Sequence, residues 1–164
     1  MNLHSFTEYL KYSRKAKGRH GTHSPFVYAL VEEVLQDKGP LKKQYNINCA
    51  GMELKYENLL SRIAAYYNYE NIVCLPGTVN GLADMLVVHT ESGEWAALLE
   101  QNLQWLKNES MVVITGIHKT AAHSTAWAKL TAYTEVRMSI DLYGMGLLLF
   151  RQEFKEKQHF ILKY

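Results

Sequence analysis

Residues 72–88 read Ile-Val-Cys-Leu-Pro-Gly-Thr-Val-Asn-Gly-Leu-Ala-Asp-Met-Leu-Val-Val, and this stretch decides the fold. Two apolar runs, residues 72–75 and 86–88, have the composition of strands that are buried on both faces. Pro76 and Gly77 close the first run with a turn. The residues between the runs barely suffice for a parallel crossover, which needs roughly ten to twelve. The sequence therefore predicts either a very tight connection or an altered strand order.

Further elements follow on both sides of this stretch. Ser24 and Pro25 supply a hydroxyl N-cap and a first-turn proline, which predicts a helix start that Gly39-Pro40 later ends. Strands that alternate with helices are typical of an α/β protein with a largely parallel sheet, and a closing hairpin at Gly144 adds an antiparallel edge. Helices are predicted at residues 3–17, 24–38, 53–67, 94–106 and 120–133, and strands at 72–75, 86–88, 111–114, 136–143, 145–151 and 158–164.

Length and composition indicate one globular domain. The chain has 164 residues, of which 48% are hydrophobic and 21% charged, so residues 1–164 can bury a core. We expect a helical, basic N-terminal extension over residues 1–52 and an α/β core over 53–164. No apolar run approaches the roughly 20 residues that span a bilayer, and the N-terminus lacks the apolar region of a signal peptide. Cys49 and Cys74 are expected to be unpaired thiols in a cytoplasmic protein.

Seven stretches, none of them a catalytic motif, carry a family resemblance that covers both ends and most of the chain. They are residues 16–27, 75–78, 117–118, 127, 139–143, 146–151 and 159–164. These stretches resemble a group of bacterial, class I SAM-dependent methyltransferase-like proteins that is common in Bacteroidetes.

This resemblance implies a reduced Rossmann-like, three-layer α/β fold of about five strands with a C-terminal antiparallel hairpin. Family members are some 60 to 80 residues longer, and the chain lacks the strands that would follow the turn after residue 75. If SAM binds, the resemblance implies that it binds at this turn. The cofactor-binding candidates are then Gly77, Thr78, Asn80 and Gly81 of the turn, together with Glu91 as a nearby acid. The family's acidic residue at this turn is missing, since residues 71–82 contain no Asp or Glu.

His118 is the candidate catalytic residue, because it follows a strand at the edge where open α/β sheets bind ligands. It is either a general base or a loop histidine that caps the next helix. The family's carboxylates before the Ile117-His118 pair are absent here, so we predict neither a metal site nor a carboxylate base at this edge.

The segment from residue 11 to residue 23 concentrates positive charge in a chain whose net charge is only +2. It is either a solvated helix face or an anion-binding site. Its aromatic residues are too sparse for RNA stacking, and the net charge does not favour nucleic acid. The anion-binding candidates are Arg14, Lys15, Lys17, Arg19, His20 and His23.

Three functions remain open at this point. The missing strands and acids favour a catalytically degenerate methyltransferase-like protein that works as a binding or assembly protein, with no cofactor. An active SAM-dependent methyltransferase acting on a small molecule would need Asp84 or Glu91 to accept from the ribose hydroxyls. The third is a basic anion- or RNA-binding module. We also expect a homodimer or a protein partner, because a shortened sheet exposes an edge strand.

Overall fold

The computed structural model describes residues 3–18, 23–37, 39–41, 43–45, 47, 49, 51–90 and 94–164. Within these residues, α-helices surround one six-stranded mixed sheet. The helices are α1 (Leu3–Lys15), α2 (Pro25–Leu30) with a π-helical continuation (Val31–Leu35), α3 (Leu54–Tyr67), α4 (Trp95–Asn102) with a 3-10 turn (Leu103–Trp105), and α5 (Ala121–Ala132). The strands are β1 (Ile72–Leu75), β2 (Ala83–His89), β3 (Leu106–Thr115), β4 (Met138–Asp141), β5 (Met145–Leu149) and β6 (Gln158–Ile161).

The strands are ordered β1-β2-β3-β5-β4-β6 across the sheet. β1, β2 and β3 are parallel, β5 is antiparallel to β3 and β4, and β6 is parallel to β4. The predicted α/β class and the β4–β5 hairpin are therefore confirmed. The sheet has six strands instead of the five or so that the resemblance implies, because the predicted C-terminal strand joins it as β6 at the outer edge of β4.

The sequence predicted either a very tight connection after residue 75 or an altered strand order, and the structure shows a tight connection from β1 to β2. β1 pairs in parallel with β2 although only residues 76–82 join them. A strand as short as β1 is only about 13 Å long, and a linker of this length can extend over roughly 23 Å. The chain therefore returns to the start of β2 without a crossover helix.

The core consists of two apolar clusters, one on each face of the sheet. Met85 and Val87 of β2 point to the cluster that holds α2 and α3. Leu86 and Val88 point to the cluster that holds α4 and α5. This alternation explains the continuous apolar run at residues 85–88, since a central strand that is covered on both sides needs apolar residues at every position.

β3 is longer than predicted, and the helix before it is shorter. The predicted helix over residues 94–106 ends in a 3-10 turn, and β3 begins at Leu106 instead of Met111. Leu106 pairs with Ala83, and the register then shifts before Met111 pairs with Met85. The hydroxyl of Ser110 donates to the Ala83 carbonyl (2.6 Å) and holds this irregularity in place.

The predicted helix start at Ser24 and Pro25 is confirmed. The Ser24 hydroxyl caps α2 by accepting from the Val27 amide, at a long 3.5 Å, and Pro25 opens the helix. The helical segment ends at Leu35, before the predicted stop at Gly39. Its buried side chains lie in the same apolar cluster as those of α3.

The expectation of unpaired thiols is wrong. Cys49 and Cys74 form a disulfide that ties the segment before α3 to β1. Two cysteines 25 residues apart carry no local signal of pairing, because their approach depends on the tertiary fold. The bond also removes the argument from free thiols for a cytoplasmic location.

The helices of the described residues include none with the length and apolar character needed to span a bilayer. α1 does carry exposed apolar side chains. Leu3 is 80% exposed, and Phe6 and Leu10 follow it on the same side of the helix. Tyr12 is the buried residue of this helix, so only a small part of the α1 surface packs against the rest of the protein.

Candidate functional site

A cavity of about 310 Å³ opens at the carboxyl ends of β2 and β3. This is the edge at which open α/β sheets bind ligands. Strand ends, the start of α3 and the loop after β4 form its walls. Its lining residues are Ser5, Gly51, Met52, Glu53, Tyr56, His89, Thr90, Thr115, Gly116, His118, Lys119, Tyr143 and Gly144.

Two threonine hydroxyls at this cavity are buried without a partner. Thr90 follows β2 and is 3% exposed, and Thr115 ends β3 and is 4% exposed. Neither hydroxyl has a hydrogen-bond partner in the described part of the chain. Buried polar groups are nearly always paired in folded proteins, so these two hydroxyls are exceptions among the described residues.

Gly116 lets the chain pass close to one of these hydroxyls. Its φ is +72°, and an added Cβ would lie 2.6 Å from Thr90 Oγ1. Its amide donates to the Gly144 carbonyl (2.7 Å), which fixes the loop after β3 against the β4–β5 turn. A glycine at position 116 therefore allows the chain to pass close to Thr90 in the cavity wall.

His118 is oriented by a carboxylate that the sequence analysis missed. Its Nε2 lies 2.7 Å from Asp141 Oδ2 at the end of β4, and the other Asp141 oxygen accepts from the Tyr143 amide (2.7 Å). Both side chains are largely buried, with 11% of His118 and 7% of Asp141 exposed. Asp141 thus reaches this edge from β4 as a residue that positions His118, and the expectation of no carboxylate general base stays a prediction.

The hydrogen bonds assign a proton position to His118. A carboxylate only accepts, so Nε2 donates to Asp141. Nδ1 is then free to accept, and it lies 3.0 Å from the Ser124 hydroxyl of α5. The His4 ring of α1 approaches the same hydroxyl at 3.1 Å. Such a carboxylate-held imidazole can take a proton at Nδ1, but here that atom is engaged by Ser124.

α1 closes one side of the site through Tyr143. The Tyr143 hydroxyl donates to the Ser5 carbonyl (2.6 Å). The rings of Tyr9 and Tyr12 pack against the Tyr143 ring, with centroids 5.1 and 5.4 Å away. Burial raises the pKa of Tyr12 to about 12, which keeps this contact uncharged at neutral pH.

Tyr56 forms another wall of the cavity. Its hydroxyl lies directly over Gly144, where an added Cβ would come within 1.7 Å of it. Burial raises the pKa of the Tyr56 hydroxyl, and the nearby Glu53 carboxylate adds to this effect. Tyr56 is therefore a neutral hydroxyl beside the cavity.

The predicted cofactor turn lies elsewhere. Gly77, Thr78 and Asn80 line an open groove of about 370 Å³ beside β1, apart from the cavity of His118. A Cβ on Gly77 would meet the Cys74 carbonyl oxygen at 2.6 Å, and the Gly77 amide donates to that same oxygen (2.8 Å). Gly81 has a φ of +85° and no atom near its Cβ position. The turn itself thus requires these glycines.

Asp84, one of the two candidates for an acid at the ribose hydroxyls, lies away from that turn. Asp84 lies at the amino end of β2, where its carboxylate accepts from the amides of Glu70 (2.9 Å) and Asn71 (2.8 Å) and pairs with Lys107. Burial alone would raise the pKa of Asp84, but the hydrogen bonds from Lys107, Asn71 and Glu70 outweigh it and hold the pKa below its usual value. Glu91 lies outside the described residues.

Comparison with protein-family models, with curated proteins and with solved structures found no match to this chain. The methyltransferase resemblance therefore rests on the quoted residues alone and stays a prediction.

The structure brings half of the predicted anion-binding residues together. Lys15, Lys17 and His23 line a second cavity of about 470 Å³, together with Ser24, Gln158, His159, Phe160 and Ile161. Arg14 is in the last turn of α1 but does not line it. Arg19 and His20 lie outside the described residues. We call this cavity the basic pocket, since none of its described lining residues is acidic.

Pairing with the C-terminal strand positions one side of the basic pocket. Lys17 donates its amide to the Ile161 carbonyl (2.8 Å) and accepts from the Lys163 amide (3.1 Å), so residue 17 continues the sheet beyond β6. His159 of β6, which the sequence analysis missed, forms a hydrogen bond with Ser139. Its Nδ1 lies 2.7 Å from the Ser139 hydroxyl oxygen. Burial lowers the pKa of His159. Only the strand pairing reveals that His159 faces the lysines.

Proposed function

We propose that this chain is a methyltransferase-like protein that has lost methyl transfer and works as a binding protein. Its sheet supports the proposal, because β5 is inserted antiparallel between β3 and β4 in an otherwise parallel sheet. Such a sheet is compatible with a shortened form of the class I methyltransferase fold, in which the closing strand is antiparallel. The cavity at the carboxyl ends of β2 and β3 is the proposed binding site.

The turn after β1 carries the argument that methyl transfer is lost. In a nucleotide-type site, glycines leave space for the ligand to approach the backbone. Here the space beside Gly77 is filled by the Cys74 carbonyl oxygen. Residues 76–82 then lead straight into β2, and the Asp84 carboxylate is engaged at the opposite end of the strand. The described residues at this turn do not fit SAM.

Calorimetric titration with SAM and with S-adenosylhomocysteine tests this proposal. We expect no saturable heat at millimolar ligand from protein whose folding is verified by a cooperative thermal transition. Saturable binding at tens of micromolar or tighter would contradict it. In that case Glu91→Gln, which removes the other candidate acid, is the variant to measure next, with Glu135→Gln on the exposed turn after α5 as its control.

The basic pocket favours a second candidate function, the binding of a phosphate-bearing molecule. Lys15 and Lys17 supply positive charge, and the rings of His23 and His159 supply nitrogen atoms that can form hydrogen bonds. Phosphate should therefore raise the melting temperature more than chloride at equal ionic strength. Lys15→Ala with Lys17→Ala should abolish the difference, whereas Lys129→Ala, on the exposed face of α5, should keep it. Equal effects of both salts would contradict this candidate.

Assembly through a homodimer or a protein partner also remains part of the proposal. The exposed Leu3, Phe6 and Leu10 side chains of α1 are apolar surface available to a partner. Light scattering during size-exclusion chromatography distinguishes the 18.9 kDa monomer from a dimer of twice that mass. A Phe6→Glu variant that converts a dimer to monomer would assign the contact to α1, and an unchanged dimer would assign it elsewhere.

A further inference from the structure

Ser124 of α5 carries a hydroxyl that contacts two histidines from other segments of the chain. A serine inside a helix usually turns its hydroxyl to solvent or to the carbonyl four residues earlier. Here the Ser124 hydroxyl oxygen lies 3.0 Å from His118 Nδ1, in the loop after β3, and 3.1 Å from His4 Nε2 of α1. Tertiary packing therefore places this hydroxyl between two imidazole rings.

The hydrogen bonds among these groups run in one direction. In a neutral His118 ring, Nε2 donates to the Asp141 carboxylate (2.7 Å), so Nδ1 carries no proton and accepts from Ser124. A serine hydroxyl has a single proton, so His4 is the donor toward the Ser124 oxygen. A hydroxyl whose proton points at a base, with the base held by a third group, is the arrangement that activates nucleophiles in covalent catalysis.

We propose that Ser124 is the nucleophile and His118 the general base of a hydrolase for small carboxylic esters, with Asp141 as the residue that positions His118. The same three residue types serve serine hydrolases of unrelated folds, where geometry and not chain order identifies them. In this chain the serine faces Nδ1 and the carboxylate faces Nε2. The inference goes beyond the proposed binding function and does not depend on it, because the turn after β1 takes no part.

A cavity of about 270 Å³ gives a substrate access to Ser124. Residues of α1, α5, β4 and β6 form its walls, and Ser124, His118 and Asp141 all line it. The buried Trp127 and Tyr12 side chains contribute aromatic surface to the same lining. The volume lies just below the range typical of sites for drug-sized ligands. The cavity therefore suits an ester with a short acyl group.

Donor groups lie near the position at which negative charge develops. In acyl transfer this charge forms on an oxygen whose carbon is bonded to the serine Oγ, and the His4 N–H already points at that Oγ. Lys15 adds a positive charge to the cavity lining, whereas the lining carboxylate of Glu8 is engaged by Lys11 (2.6 Å). Fixed donors and positive charge of this kind stabilise the transition state of acyl transfer.

The reaction has two halves. In the first, Ser124 Oγ bonds to the ester carbonyl carbon and its proton passes to His118 Nδ1. The carbon–oxygen bond of the ester then breaks, and the departing alcohol takes the proton from His118 while the acyl group stays on Ser124. In the second half, a water molecule attacks the acyl group in the same way, which releases the carboxylic acid and restores the serine hydroxyl.

A fluorophosphonate ester tests whether Ser124 is a nucleophile. An activated serine bonds to the phosphorus of this reagent and displaces fluoride, while the serine proton passes to the base. We expect intact-protein mass spectrometry to show a single phosphonyl adduct on the folded chain, and peptide analysis to locate it on Ser124. Ser13, on the exposed surface of α1, is the internal control for an ordinary serine hydroxyl. No adduct, or labelling of Ser124 no faster than that of Ser13, would overturn the proposal.

Hydrolysis of p-nitrophenyl acetate tests turnover. Ser124→Ala should lower kcat/KM about a hundredfold, and Ser13→Ala should leave it unchanged. A cooperative thermal transition verifies that each variant is folded. An unchanged kcat/KM in folded Ser124→Ala would overturn the proposal. Labelling of the wild-type chain needs no variant, so it decides the question if Ser124→Ala does not fold.

Asp141→Asn separates positioning of His118 from a purely structural contact. The new amide can keep its oxygen on the Tyr143 amide and turn its NH₂ group toward His118 Nε2. The ring should then carry its proton on Nδ1, where it can no longer accept from Ser124. We expect ¹⁵N spectra of the His118 ring to show this exchanged tautomer, and phosphonyl labelling of Ser124 to slow by about a hundredfold or more. Unchanged labelling in a variant that shows the exchanged tautomer would overturn the proposal.

Discussion

At the scale of single residues, close contacts set the shape of the site more than charge does. Gly116, Gly144 and Gly146 each lie against a side chain that occupies the place of their missing Cβ. Two of them border the cavity, and the third lies under the Trp127 ring. Substituting any of them moves a neighbouring side chain as well.

Gly146 provides the sharpest test of this packing. An added Cβ would lie 2.5 Å from two ring carbons of the buried Trp127, and a tryptophan ring cannot give way as a flexible chain can. Gly146→Ala should therefore lower the free energy of unfolding by about 2 kcal/mol. Denaturant titration measures it, with Gly18→Ala as control because nothing lies within 4 Å there. Equal stability of the two variants would show that the Trp127 contact is not tight.

His159 makes stability depend on pH. Burial holds the pKa of His159 below its ordinary value of 6.5, so the unfolded chain binds more protons than the folded one as the pH falls below that value. Stability should decrease from the ordinary pKa down to the lowered folded pKa, and be fully recovered above the former. His159→Gln should flatten this slope in denaturant titrations between neutral and mildly acidic pH. The desolvated His123 also has a lowered pKa, so part of the slope should persist; a slope identical to wild type would contradict the assignment.

At the scale of elements, the segments outside the sheet are attached by few, specific links. The disulfide from Cys49 to Cys74 joins the segment before α3 to β1. A contact between Tyr9 and Tyr143 joins α1 to the turn after β4, and a hydrogen bond between His4 and Ser124 joins α1 to α5. The strands themselves are tied by continuous ladders of backbone hydrogen bonds. Loss of a link should therefore affect its own segment more than the sheet.

Reduction of the disulfide should destabilise the protein measurably. The bond closes a loop with a sequence separation of 25 residues, for which loop entropy gives about 3 kcal/mol. Thermal melts with and without reductant measure the change, and mass spectrometry after alkylation shows whether the thiols were paired. The Cys49→Ser/Cys74→Ser double variant should match the reduced protein and should not respond to reductant. Two alkylated thiols in unreduced, folded protein would contradict the pairing.

At the scale of the whole molecule, stability should be uneven. β2 and β3 are covered on both faces, and their side chains from Met85 to Val88 and from Met111 to Ile114 are buried. α1, in contrast, buries only Tyr12 among its described residues and exposes Leu3. Elements with few buried contacts open at low free energy.

Hydrogen exchange followed by mass spectrometry tests this distribution. Peptides from β2 and β3 should exchange only by global unfolding, whereas α1 should exchange orders of magnitude faster through local opening. Dilution provides the control, because a dimer contact through α1 would protect it only at high protein concentration. Protection of α1 equal to that of β3 at all concentrations would contradict a narrow attachment.

Only part of the candidate site could be predicted from the sequence. His118 was identified by its place after a predicted strand, and that reasoning is local. Asp141, Thr90 and Thr115 were not identified, because their roles depend on which strand ends meet at one edge of the sheet. At the predicted cofactor turn, the sequence suggested a role in binding where the structure shows a role in folding. Gly77 and Gly81 match a ligand-binding pattern, but Gly77 is needed because the Cys74 carbonyl oxygen lies where its Cβ would be.

Local sequence patterns are enough to predict the succession of helices and strands, the cap at Ser24 and the burial of both faces of β2, because these features follow from side chains within a few residues of each position. The tertiary structure alone decided that β5 lies between β3 and β4, that Asp141 orients His118, and that Cys49 meets Cys74. Those contacts join residues distant along the chain. A local pattern reports only that a face must be buried, whereas the choice of what covers it follows from the packing of the whole sheet.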